Sequence, residues 1–252
     1  MIKDLSTTEL AVTMAELAQN AYTDDCTKLF ADLGFKKYKF LDKEGAQGHV
    51  AASNKEVIIT CRGTEPKQIN DLLADLNTRP KKNGVGWVHT GFRTEARKII
   101  DEVFVWCDAN KNKPIYVTGH SLGAAMALYI TQELEYAGYP VVQVCTFGQP
   151  RLGNHEYINS IKTPHLRFVN CNDIVTHVPP AALQFKHHGT LCYINFYGFI
   201  RPLSNYQRFK DMMRAHWRAW KDLKFFDALT DHSMDGYVGK LRNIRDTGNT
   251  IN

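Results

Sequence analysis

The run Gly119-His120-Ser121-Leu122-Gly123 follows the β-branched stretch Ile115-Tyr116-Val117-Thr118 and passes at once into Ala124-Ala125-Met126-Ala127-Leu128, all good helix formers. A serine between two glycines at a strand-to-helix turn is pressed into a strained backbone conformation, and the glycines remove side chains that would strike the neighbouring strand and helix. Ser121 is thereby held out at the start of a helix. There the backbone N–H of Leu122 can face an oxyanion formed on an acyl group that Ser121 attacks, with the helix dipole adding to its stabilisation. The chemistry this permits is acyl transfer through a serine nucleophile. The plain alternative is a glycine-rich turn with an incidental serine.

A serine hydroxyl attacks only if a histidine takes its proton, and that imidazole needs a carboxylate to fix its tautomer and stabilise its cation. Where a nucleophile sits on such a turn, the acid and then the histidine follow it along the chain, on loops beyond later strands. Leu166-Arg167-Phe168-Val169-Asn170 reads as one such strand, and Cys171-Asn172-Asp173 follows it before the Val178-Pro179-Pro180 break, so Asp173 is the acid candidate. An Asp at a strand end is otherwise a common turn former. Five histidines follow it: His177, His187, His188, His216 and His232. His177 lies only four residues from the acid, His187 and His188 precede a probable strand, and His216 sits in a basic amphipathic run. His232 stands at a late loop-to-helix junction, the place expected of a triad base.

Positioning these groups requires a sheet with crossover helices. Short apolar runs at 38–41, 57–61, 115–118, 141–147 and 166–169 read as strands, with helical patterns at 93–110 and 124–137 between them. That alternation predicts an α/β fold with a mostly parallel central sheet and helices on both faces. The runs at 38–41, 49–52 and 57–61 are close enough to give the sheet an antiparallel start. Ser6-Thr7-Thr8-Glu9 has the form of a capping box, with Leu10, Met14, Leu17 and Ala18 at helical spacing behind it. The chain of 252 residues shows no internal repeat or linker, so one domain over 1–252 is expected.

With 44% apolar and 23% charged residues, the composition is that of a globular protein and not of a disordered or collagenous one. The longest apolar stretch, 124–130, is far short of the roughly 18 residues a membrane span needs. Asp4, Glu9 and Glu16 interrupt any secretory leader, so the sequence as given points to the cytoplasm, or to secretion with a leader removed. Six scattered cysteines form no C-x-x-C pair and read as reduced and mostly buried; neither a metal site nor an organic cofactor is signalled. The net charge of +5, from 31 basic and 26 acidic residues, is too mild to argue for nucleic acid. The segment 196–224 carries seven basic residues against Asp211 and Asp222, an excess of five that equals the net charge of the whole chain.

Several motifs in order resemble the class 3 lipase family, the fungal-type lipases and esterases of the α/β-hydrolase fold, from about Val57 to Leu241. Beside the serine turn they are Val57-Ile58-Ile59-Thr60-Cys61-Arg62-Gly63-Thr64, Val88-His89-Thr90-Gly91-Phe92 and Thr146-Phe147-Gly148-Gln149-Pro150-Arg151-Leu152-Gly153-Asn154. To these are added Asn170-Cys171-Asn172-Asp173 with its Val178-Pro179-Pro180, and Asp231-His232-Ser233-Met234 with Tyr237. The resemblance implies Ser121 as nucleophile, Asp173 as acid, His232 as base, and Thr64 with Leu122 as oxyanion donors. It also implies a lid over the site, here the segment 65–76, whose Ile69, Leu72, Leu73 and Leu76 share one helical face. The tryptophan usual in that segment is absent, which weakens the case for strong interfacial activation.

The expected activity is that of a carboxylester hydrolase acting on lipid or acyl esters, triacylglycerols among them. A feruloyl-type or other soluble-ester esterase is the near alternative, and a catalytically silent lipid-binding module the distant one. In the basic amphipathic segment 196–224, Tyr206, Phe209, Met213, Trp217, Trp220 and Leu223 recur at helical spacing beside a separate stripe of Lys210, Arg214, Arg218 and Lys221. Burial of the aromatic stripe against the core is the expectation, and peripheral contact with a lipid surface the alternative.

Overall fold

The computed structural model describes residues 1–64, 80–221 and 231–251, with 205 and 215–221 followed by their backbone only. Helix α1 (Thr7–Asn20) starts at the expected capping box: Glu9 N–H donates to Ser6 Oγ at 3.3 Å, and Ser6 N–H donates to Glu9 Oε2 at 3.0 Å. Helix α2 (Thr27–Asp32) leads into the antiparallel strands β1 (Lys37–Lys43), β2 (Ala46–Ala52) and β3 (Val57–Cys61). A separate hairpin of β4 (Pro80–Lys82) and β5 (Trp87–His89) precedes α3 (Thr90–Asp108). Then come β6 (Ile115–His120), α4 (Leu122–Tyr136), β7 (Val141–Phe147), α5 (His155–Ser160), β8 (His165–Asn170) and β9 (Thr190–Ile194). Helices α6 (Asn205–Lys221) and α7 (Met234–Asp246) follow.

One sheet of seven strands runs β1-β2-β3-β6-β7-β8-β9, parallel at every pairing from β3 onward. β3 and β6 are buried at every position, as strands covered on both faces must be. Their side chains divide by the two-residue period. Ile59, Val117 and Val144 join Ile99 and Val103 of α3 and Leu128 of α4 in one core. Ile58, Tyr116, Cys145 and Phe168 pack on the other face with Met14 and Leu17 of α1 and Tyr237 and Leu241 of α7. Helices on both faces thus hold the carboxyl ends of β3, β6, β7 and β8 in place, where Ser121 and Asp173 emerge.

Both crossover helices begin earlier than their apolar periodicity suggests. α3 starts at Thr90 because the His89 ring accepts from the Phe92 N–H at 3.4 Å, and α4 starts at Leu122 because Ser121 itself is the cap. The sequence does not announce the hairpin of β4 and β5, since strands of only three residues, one of them Pro-Lys-Lys, give no period to read. All six cysteines are free and buried, as expected of reduced core thiols. Among the described residues no helix is long and apolar enough to cross a membrane.

The aromatic stripe of α6 corrects the sequence expectation. Tyr206, Phe209 and Met213 are exposed, and the residue that α6 buries, among its described side chains, is Asp211. Its Oδ2 accepts from the Tyr193 hydroxyl at 3.1 Å and from the Phe196 N–H at 2.8 Å. A buried carboxylate must be hydrogen-bonded, and these donors lie on β9 and the loop after it, so they set which face of the helix turns inward. Arg208, Asp211 and Met212 form that face, three and four residues apart. The basic and aromatic residues do not lie on separate stripes either, because the Lys210 ammonium stands 4.5 Å from the Tyr206 ring centroid. The side chains of Trp217 and Trp220, and Leu223 altogether, lie outside the described residues, as does the whole lid segment 65–76 with Ile69, Leu72 and Leu73.

Candidate active site

β6 ends in the turn that carries Ser121. The parallel register sets Cys61 of β3 beside Gly119 and Phe147 of β7 beside His120, so the strand ends are level around it. Ser121 has φ 58° and ψ −127°, a conformation a non-glycine residue keeps only when its surroundings enforce it. They do: a Cβ on Gly119 would be driven into the Gly123 carbonyl, and one on Gly123 into the Cys61 carbonyl. Ser121 is fully buried, and its Oγ has no hydrogen-bond partner among the described residues.

Asp173 stands three residues beyond β8 and caps a 3-10 turn over Ile174–His177, its Oδ1 accepting from the Val175 N–H at 3.0 Å. His232 immediately precedes Ser233, the N-cap of α7, whose hydroxyl accepts from the Gly236 N–H at 3.2 Å. Each residue is fully buried, and His232 Nδ1 lies 2.8 Å from Asp173 Oδ1 and 2.9 Å from Oδ2. A carboxylate only accepts, so Nδ1 carries the proton and Nε2 of the neutral ring holds a lone pair. That Nε2 is buried and without a partner among the described residues. It is the acceptor a serine proton would need.

The support around this pair is dense. One turn into α7, the Tyr237 hydroxyl donates to Asp173 Oδ2 at 2.6 Å and accepts from the Asn170 N–H at 3.0 Å. Burial, and then the Asp173 charge, raise the Tyr237 phenol well above its ordinary value, so it stays a donor. The same helix therefore places both the base and a donor to its acid. Gly148, with φ +59°, follows β7; a Cβ there would lie 2.7 Å from Asp173 Oδ2 and 2.8 Å from His232 Cε1.

His120, one residue before Ser121, ties the turn to the base. Its ring lies 4.5 Å from the His232 ring, its Nε2 donates to the His232 carbonyl at 2.7 Å, and its Nδ1 accepts from the Tyr22 hydroxyl at 2.7 Å. Burial, and then the neighbouring His232, hold His120 well below its ordinary pKa, so it stays neutral as this pattern requires. Behind it, Asn170 Nδ2 donates to the Asp231 carbonyl at 2.8 Å and clasps the loop before His232.

The structure thus brings Asp173 to His232 and sets His232 against the Ser121 turn. Thr64 and Leu122 line one cavity of about 400 Å³, together with Gly63 and Met126. The other candidate histidines lie elsewhere: His177 and His187 line a different cavity, and His188 Nδ1 is 3.2 Å from His165 Nδ1. The side chain of His216 lies outside the described residues. Sequence reasoning missed the roles of Tyr22, His120, Gly148, Asn170 and Tyr237. His120, Gly148, Asn170 and Tyr237 stand within the motifs that carry the family resemblance, whereas Tyr22 gave no signal, since its contact spans 98 positions.

A sheet of this order, with a strained serine after a parallel strand and an acid and a histidine supplied by later loops, is the α/β-hydrolase fold. The chain belongs to the class 3 lipase family, whose model matches residues 58–183. It is 29% identical over 211 residues to a triacylglycerol lipase of Ricinus communis, covering 76% of this chain and 39% of that protein. To a lipase of Rhizomucor miehei it is 36% identical over 152 residues, 54% of this chain and 41% of that one. The chain so spans about two-fifths of the length of these curated relatives. The solved structure of the Rhizomucor miehei triacylglyceride lipase superposes with a TM-score of 0.65 at 28% identity, over 75% of this chain and 82% of that one.

Proposed function

We propose that this protein is a serine carboxylester hydrolase of the lipase type, with Ser121 as nucleophile, His232 as base and Asp173 as acid. The observation that carries the reading is the complementary pair of buried atoms, Ser121 Oγ and His232 Nε2, unpartnered among the described residues, beside a His232–Asp173 hydrogen bond of 2.8 Å. Such catalytic bonds commonly tighten only when substrate is bound. His232 Nε2 takes the Ser121 proton as the oxygen attacks the ester carbonyl. Asp173 stabilises the imidazolium that results, and the Tyr237 hydroxyl keeps the carboxylate in place. The Leu122 and Thr64 N–H groups, with the Thr64 hydroxyl, hold the oxyanion. The His232 imidazolium then protonates the leaving alcohol, and a water activated by the same nitrogen frees the acid.

Lipid esters, acylglycerols among them, are the substrates the family relationship favours. They lie in a surface, and the exposed Tyr206, Phe209 and Met213 with Lys210 and Arg214 suit α6 to rest on one. A fluorophosphonate probe should label the folded chain at Ser121, and Ser121→Ala should abolish labelling and lower ester turnover by about 10⁵–10⁶-fold. Persistent labelling of Ser121→Ala, or none of the parent, would refute the assignment.

A further inference from the structure

A second cavity, of about 290 Å³, opens under β8 and β9 where α6 crosses them. Three guanidinium groups, Arg151, Arg167 and Arg208, and two imidazoles, His177 and His187, line it, and no carboxylate is among its described lining residues. Acids on the same loops are engaged elsewhere: Asp173 accepts from His232 and Tyr237, and Asp211 from Tyr193 and Phe196. Arg151 is held by main-chain oxygens, donating to the His177 carbonyl and to the Pro179 carbonyl at 2.9 Å.

Arg167 is the telling residue. It is only 8% exposed, and its Nε has no hydrogen-bond partner among the described residues. Burial, to which the Arg151 and Arg208 charges add, pushes its guanidinium down to about 10. A buried cation with like charges beside it and an unused donor is costly unless an anion completes the set.

His187 narrows the chemistry of that anion. Its Nε2 donates to the Thr176 carbonyl at 2.9 Å, so Nδ1 of the neutral ring is an acceptor, and that atom too is buried without a partner among the described residues. Burial, then Arg167 and Arg151, hold the imidazole well below its ordinary pKa and hence neutral. The ligand that satisfies both walls accepts from guanidinium N–H groups and donates one hydrogen to an imidazole nitrogen. A phosphate with one ionised and one protonated oxygen does both; sulfate at neutral pH has no hydrogen to give.

We infer that this cavity binds a phosphate group bearing a proton, either hydrogen phosphate itself or a phosphomonoester headgroup. Val169, Leu191 and Met212 supply an apolar wall along which the ester substituent can lie. Phe209 lines the cavity and is 58% exposed within the outward stripe of α6, so the mouth opens beside the face that would meet lipid. The inference is independent of ester hydrolysis and is read by binding alone.

Calorimetry on the full chain at fixed ionic strength should show inorganic phosphate binding at least about ten-fold more tightly than sulfate. Arg167→Gln should weaken phosphate by about 10–100-fold; if that protein does not fold, Arg208→Gln at the rim is the deciding variant. Phosphatidylcholine vesicles doped with phosphatidate, or to equal mole fraction with phosphatidylglycerol, separate the sources. Preference for phosphatidate that is lost in the variant identifies a headgroup. Equal binding to both vesicles, with phosphate still bound in solution, identifies the free anion. No phosphate binding, sulfate binding as tightly as phosphate, or undiminished binding by the folded variant would overturn the site.

Discussion

Around Ser121 and around Arg167 the molecule buries polar atoms that have no partner among the described residues, and the two sectors do so in opposite ways. In the first, these atoms are one donor and one acceptor, Ser121 Oγ and His232 Nε2, inside a frame where Tyr22, His120, Tyr237 and Asn170 are each hydrogen-bonded. In the second, they are a guanidinium donor and an imidazole acceptor among like charges. A proton moving within the protein can serve the first. Among the described residues no carboxylate lines the second, and a bound group carrying negative charge would serve it. The sectors meet at the 3-10 turn after β8, where Asp173 faces His232 while Thr176 and His177 face the arginines. One turn of chain therefore separates a site built for transfer from a site built for capture.

Three further experiments test that separation, taken from the largest expected effect to the smallest. Asp173→Asn removes the carboxylate that fixes the His232 tautomer and should lower kcat for an ester by about 10⁴-fold. Calorimetry on the same protein should find phosphate affinity unchanged, and a parallel loss of both would join the two sectors into one. Gly148→Ala puts a Cβ at 2.7–2.8 Å from Asp173 and His232 at a position with φ +59°. It should lower unfolding free energy by about 2–3 kcal/mol in urea titrations and reduce ester turnover, again without touching phosphate affinity. An alanine variant with parental stability and rate would show that the packing around the His–Asp pair is looser than its geometry implies.

The smallest effect per residue is a pH dependence of stability. His120, His165 and His187 are all held well below their ordinary pKa, by burial first in each case. The unfolded chain takes up protons at these residues as pH falls through about 6.5, and the folded chain does not. Their contribution is therefore complete above that pH and declines below it, with each histidine worth up to about 1.4 kcal/mol per pH unit. Urea midpoints at pH 7.5, 6.5 and 5.5 should fall in that order. Saturating phosphate should stabilise the protein at each pH, and midpoints flat from pH 7.5 to 5.5 would show that the three histidines titrate as they do in the unfolded chain.

Much of the frame is legible in the amino-acid order. The strand runs 57–61 and 141–147 match β3 and β7 at both ends, because β3 is buried throughout and β7 from Val144 onward, in β-branched and aromatic runs that leave no competing period. The capping box opens α1 where Ser6 and Glu9 indicate, since both halves of that motif are local. The expectation for α6 fails for the opposite reason. Its stripe of Tyr206, Phe209 and Met213 has the spacing of a buried face, yet a single carboxylate, Asp211, turns it outward through donors on β9 and the loop after it. Periodicity counts apolar residues and cannot see a polar anchor supplied from another element.

What the amino-acid order determined by itself was local: a serine at a sharp turn that glycines on either side make sterically possible, and the order of strand and helix around it. Those outcomes follow from sterics and spacing within a few residues. That Tyr237 and Tyr22 brace the arrangement of His232 and Asp173, and that Arg151, Arg167 and Arg208 converge on one cavity, were decided only by the tertiary structure. Each depends on contacts between residues far apart along the chain, made when the parallel sheet brings its strand ends level and the helices close over them.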